Sequence, residues 1–230
     1  GNISAQVGNR MNGGNAYVMV QKDKLTLSAN LHEGYMNTPA IETSSVREQL
    51  SDNQVMHNDM EMTGGNNMLF GTIDATYQAS DNDVLSATVN VMDMRGHNEM
   101  DASTIFEPLA TRASSQDFSQ HNDNHTTSTS ISASMDYMHT FDGNPNHTLT
   151  AAYRFSTQPR KNESLTDYSL SSMPAFDQTD RNNMIENTLQ LDYVRPLSEA
   201  QTLEAGGKYV WRSSSSLSDL LDYSHSNSIG

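Results

Sequence analysis

Apolar and polar residues alternate one by one along most of the chain. In His147–Thr157, Leu149, Ala151, Tyr153 and Phe155 fall on one side, with Thr148, Thr150, Arg154 and Ser156 on the other. Asn187–Arg195 sets Leu189, Leu191 and Tyr193 against Thr188, Gln190 and Asp192. Leu203–Arg212 sets Leu203, Ala205, Tyr209 and Trp211 against Glu204, Lys208 and Arg212. The same rhythm runs through Leu25–Leu31, Leu69–Tyr77, Leu85–Val91 and Ile131–Phe141, and more weakly through Ile3–Asn9 and Ala16–Gln21. Period two is the spacing of side chains on one face of a β-strand, and no window shows the 3.6-residue period of a helix. The pattern predicts roughly nine strands of about 8–13 residues.

The connections alternate in length. Long polar segments, about 34–66, 95–125 and 158–183, follow one set of strand ends. Short ones, Ala79–Asp83, Asp142–Asn146 and Pro196–Ala200, follow the other. Soluble domains seldom carry structureless loops of such length. Outer-membrane barrels do, with short periplasmic turns and long extracellular loops. The expected fold is therefore all-β, with antiparallel up-and-down strands forming part of a transmembrane β-barrel. Residues 1–230 read as one partial barrel without a plug domain. Tyr137, Phe141, Tyr153, Phe155, Tyr193, Tyr209 and Trp211 lie toward strand ends, where an aromatic girdle belongs.

Composition narrows the partners. The net charge is −15 and only 13 residues are Lys or Arg, which excludes nucleic acid and basic docking to anionic lipid. With no cysteine there are no disulfides, thiolate metal sites or Cys nucleophiles. The hydrophobic share is 35%, low for a packed globular domain and fitting for strands with one polar face. No apolar run is long enough for a membrane helix. Gly1-Asn2-Ile3-Ser4 lacks the basic and apolar regions of a signal peptide, so the chain reads as an internal fragment or mature form of an exported protein.

Leu189-Gln190-Leu191-Asp192-Tyr193-Val194-Arg195-Pro196-Leu197 followed by Leu203-Glu204-Ala205-Gly206-Gly207-Lys208-Tyr209 resembles a hairpin of the outer-membrane β-barrel family related to TonB-dependent receptors. Ile3–Asn9, Asn15-Ala16-Tyr17 and Lys24–Leu27 are similar to the hairpins with which such barrels begin. The resemblance implies the Gram-negative outer membrane, a barrel of about twenty-two strands and an N-terminal plug. It also implies TonB-dependent uptake of a bulky nutrient. The implied partners are outer-membrane lipid, the rest of the barrel and its plug, TonB through that plug, and an extracellular ligand. The closing residues Ser224–Gly230 do not carry that family's terminal aromatic. A soluble secreted all-β binding module, or a surface adhesin, is the alternative.

Candidate chemistry is sparse. Met56, His57, Met60, Glu61 and Met62 cluster in the first long segment, and Met92, Met94, His97 and Met100 at the start of the second. Thioether and imidazole together suit copper, but flexible apolar packing is the commoner role of methionine and the expected one here. Asp117, His121, Asp123 and His125 lack calcium-loop spacing and read as a solvated loop. Asn12–Asn15 and Gly64–Asn66 read as turns, as do Asp81 and Asp83. No hydrolase, metalloprotease or nucleotide motif occurs. No catalytic residue, cofactor site or metal ligand is assigned, and a non-enzymatic role is expected. Acids outnumber bases in each long segment, as water-exposed loops require.

Overall fold

The computed structural model describes residues 1–110, 116–141, 144–170, 172–198 and 200–223. The strands are β1 (Asn2–Gln6), β2 (Met11–Lys22), β3 (Leu25–Gln49), β4 (Gln54–Gln78), β5 (Asp83–Pro108), β6 (Gln116–Thr140), β7 (Thr148–Thr157), β8 (Arg160–Tyr168), β9 (Phe176–Ser198) and β10 (Gln201–Asp222). They form one sheet in the order β1-β2-β3-β4-β5-β6-β7-β9-β10, with β8 also lying between β6 and β9. Every pairing is antiparallel, so neighbouring strands run in opposite directions.

β7 and β8 occupy one position in that order. Ile131↔Thr157 and Ser128↔Arg160 keep the same register against β6, and Thr157↔Ile185 and Arg160↔Asn182 keep it against β9. The interruption between them contains Pro159, which has no N–H to give to the ladder. Its carbonyl still accepts from the Thr129 N–H at 3.0 Å. The sheet thus has nine strand positions, as the alternation predicts.

The strands are much longer than expected. β3, β4 and β6 each have 25 residues and β5 has 26. At about 3.3 Å per residue they reach some 80 Å, well over twice the length a tilted membrane crossing needs. The segments 34–66, 95–108 and 116–125 are therefore not irregular loops, residues 111–115 lying outside the described residues. They are the far arms of two hairpins, paired through Gln49↔Gln54 and Phe106↔Gln116. Likewise β8 and β9 pair through most of 158–183, from Arg160↔Asn182 to Thr166↔Phe176. In these arms neither face is continuously apolar, so the ladder persists where the hydrophobic alternation stops. The long–short alternation of connections remains: one end of the sheet carries the long hairpin arms, the other only short turns. Asp142 and Gly143 of one short turn, Glu199 of another, and Ser224–Gly230 lie outside the described residues.

Both glycine-rich stretches expected as turns lie inside strands, Asn12–Asn15 in β2 and Gly64–Asn66 in β4. They are glycines because backbones approach closely there. A Cβ at Gly13 would lie 2.8 Å from the Glu33 carbonyl, and one at Gly64 would lie 2.5 Å from that of His97. Tight turns fall instead on Asp23 and Asn53, whose φ of 51° and 52° is the left-handed region that Asp and Asn tolerate. Pro39 sits where β3 slips register between Thr38 and Ile41, a place where a strand tolerates proline.

Candidate functional site

Register turns the alternation into two faces. One row runs Val18↔Ala29↔Ile73↔Val89↔Ala133↔Phe155 across six strands. Neighbouring rows add Leu27, Leu31, Leu85, Val91, Ile131, Leu149, Leu189 and Leu191 on the same side. This belt occupies the half of the sheet nearest the short turns. Nothing packs on it: Ile73 is 59% exposed and Leu191 52%, and Val55 is the one buried apolar side chain among the described residues. Tyr77, Tyr137 and Tyr193 edge the belt near the short turns. Tyr153, Phe155, Tyr209 and Trp211 edge it on the other side, Tyr209 and Trp211 with ring centroids 5.5 Å apart.

The opposite face is polar and cross-bonded. Asp74 accepts from Thr88 Oγ1 at 2.8 Å and from Ser28 Oγ at 3.3 Å, tying β3, β4 and β5 together. Thr72 Oγ1 donates to Asn90 Oδ1 at 2.9 Å, and Asn90 Nδ2 donates to Ser132 Oγ at 3.4 Å. Further round, a groove of about 370 Å³ is lined by Asn90, Ser134, Arg154, Glu186, Thr188 and Lys208. Arg212 pairs with Glu186 at its rim. Arg154 and Lys208 make no ion pair among the described residues. In a chain of net charge −15, two unneutralised cations facing one groove form an anion-attracting spot.

The methionine–histidine clusters expected from spacing come apart. On β4, Met56, Met60 and Met62 face the polar side while His57 faces the belt side, 3.5 Å from Glu107. On β5, Met92, Met94 and Met100 face the polar side and His97 the other. Residues an odd number apart on a strand cannot share a face. The methionines meet one another instead, through Met62↔Met100 and Met68↔Met94. They give the polar face a soft apolar patch in the long arms.

Pairing also brings together histidines that sequence spacing had kept apart. His97 on β5 meets His125 and Asp123 on β6, and these side chains project on the belt side but beyond the belt. His121 Nδ1 lies 2.7 Å from Asp101 Oδ1, and that carboxylate raises the imidazole pKa above its ordinary value. At the short-turn rim, Asp83 takes hydrogen bonds from Ser80 Oγ at 2.5 Å, Tyr137 Oη at 2.6 Å and His139 Nδ1 at 2.7 Å. Together these donors, Ser80 foremost, hold its carboxyl well below the usual carboxylate range.

A single-layer antiparallel sheet with an aromatic-edged apolar belt on one face and a hydrogen-bonded polar face behind it is the wall of an outer-membrane β-barrel. The protein resides in the outer membrane of a Gram-negative bacterium, with its belt against lipid. Residues 139–229 match the outer membrane protein beta-barrel family. Among solved structures, the chain is similar to the CymD monoaromatic hydrocarbon channel at 11% identity, covering 97% of this chain and 78% of that one, with a TM-score of 0.31. It is similar to the Pseudomonas putida toluene transporter TodX at 12% identity, 91% and 68% coverage, and a TM-score of 0.19. For the RagAB peptide importer the identity is 7%, the coverage 89% and 36%, and the TM-score 0.31. Superposition at this level bears on neither ligand nor mechanism. No curated protein sequence matches the chain.

Proposed function

We propose that the chain forms part of the wall of a receptor or transporter that takes up a bulky nutrient by a TonB-dependent route, and that it is not an enzyme. The groove carries this reading: Arg154 and Lys208 stand unpaired on the lumen face, among Ser, Thr and Asn side chains. A lumen that only excluded lipid would neutralise its cations with the abundant acids. Asp74 is engaged with Ser28 and Thr88, Asp192 with Gln190, and Glu186 with Arg212, and none of these acids pairs with Arg154 or Lys208 among the described residues. Free cations beside hydroxyls and amides suit a ligand with carboxylate or sulfate groups and many hydroxyls, such as an acidic oligosaccharide. The proposed partners are a plug domain, the rest of the barrel, and TonB acting through the plug.

The test uses outer-membrane vesicles from cells expressing the whole gene product, probed with fluorescent acidic and neutral oligosaccharides. The acidic probes should bind, and R154A/K208A should weaken binding at least tenfold. Accumulation of the bound probe should stop in cells lacking TonB while surface binding persists. Equal binding of neutral and acidic probes, or uptake that ignores TonB, overturns the proposal.

A further inference from the structure

On the outer side of the β5–β6 hairpin, beyond the lipid belt, His97 and His125 occupy directly opposed register positions. The next opposed pair on that face is Glu99 and Asp123. The two imidazole rings stack with centroids 4.4 Å apart and planes 8° from parallel. Both aim Nε2 at one oxygen: Asp123 Oδ1 lies 3.0 Å from His97 Nε2 and 3.3 Å from His125 Nε2. One ligand atom from each of the three residues lies within 4.8 Å of the others. Glu99 Oε1 is 3.5 Å from His97 Nε2, a second oxygen and a fourth donor atom at the same spot.

We propose that His97, Asp123 and His125 bind one divalent transition-metal ion of the zinc or copper(II) class. Two imidazole nitrogens and a carboxylate oxygen form a donor set for these borderline ions, whereas calcium and magnesium take oxygens alone. Copper(I) is disfavoured because the thioethers of Met94 and Met100 face the other side of the sheet. Metal–nitrogen bonds of about 2.0–2.1 Å ask the rings to tilt toward each other, which half-exposed side chains on a fixed ladder can do. Gly65 stands opposite His97 on β4, and the Tyr35 ring lies over the place its side chain would take, walling the site on that flank. Glu99 or water completes the coordination, since Glu163, opposite His125 on β8, is held by Lys161. His121 is not a ligand, because Asp101 already holds its ring. The site opens to the medium on the face away from the groove, so metal and lumen ligand do not compete.

Titration of the full chain in detergent micelles with zinc chloride should show one site per chain. H97A and H125A should each lower its affinity at least tenfold, and H57A, whose ring lies beside Glu107, should leave it unchanged. One equivalent of copper(II) added to the unaltered chain should give an electron paramagnetic resonance spectrum with coupling to two imidazole nitrogens. This second readout needs no variant, so it stands even if an alanine variant misfolds. A copper spectrum without nitrogen coupling, or zinc affinity that H97A/H125A leaves intact, overturns the proposal.

Discussion

Ile73 sits midway along the apolar belt, with Ala29 directly beside it on β3 and Val89 on β5. At that depth lipid surrounds its side chain, and nothing polar lies within reach to satisfy a charge. Ile73→Arg should therefore destabilise the folded barrel by about 2–4 kcal/mol, the cost of a cation near the bilayer midplane. Thr76 is three residues away but faces the lumen between Thr26 and Ser86, so Thr76→Lys should cost no more than about 0.5 kcal/mol. Denaturant unfolding in lipid vesicles separates the two. Comparable losses would mean that both faces meet the same environment. This difference was legible in the sequence, since parity alone assigns Ile73 and Thr76 to opposite sides. Parity also shows that His97 cannot join Met94 and Met100, which the clustering of those residues along the chain obscured. Invisible in the sequence was the pairing of His97 with His125, because register across a hairpin of some fifty residues depends on the length of both arms.

The hairpin β3–β4 shows where reading by element succeeds and where it stops. Leu25–Leu31 and Leu69–Tyr77 alternate because one face meets lipid, and they were recognisable as strands. Beyond them, Thr43–Glu48 is exposed throughout and Gln54–Met60 buries only Val55, so the side chains carry no apolar period although the backbone ladder continues. Hydrogen-bonded register, unlike burial, leaves little imprint on composition. The arm should thus be separable from the membrane part. Joining Thr43 to Met60, which are register partners, through an Asn-Gly turn should leave insertion and heat-modifiable mobility intact. The unfolding free energy should fall by about 1–3 kcal/mol, because buried Val55 is removed while β5 keeps its pairing with β6. Failure of the shortened chain to insert would show that the arm helps specify the barrel.

At the scale of the whole molecule, the sheet has two unpaired edges, β1 and β10, and almost no interior. Every residue of β10 is exposed, including Leu203, Val210, Trp211, Leu217, Leu220 and Leu221. A soluble sandwich of the same strands would bury its apolar face against a second layer, and none exists among the described residues. Lipid must therefore do what a core does elsewhere. Low hydrophobic content with period-two patterning made this legible, because too few apolar residues exist to fill two facing layers. Placed in plain buffer, the chain should associate through its belt and open edges, elute in the void volume and show no cooperative melt. In micelles whose apolar interior matches the belt, it should give a β-rich spectrum and a mobility that shifts on heating. A monomer in plain buffer with a sharp, reversible transition would require the belts to pack on protein, and the secreted binding module would then be the better reading of the same strands.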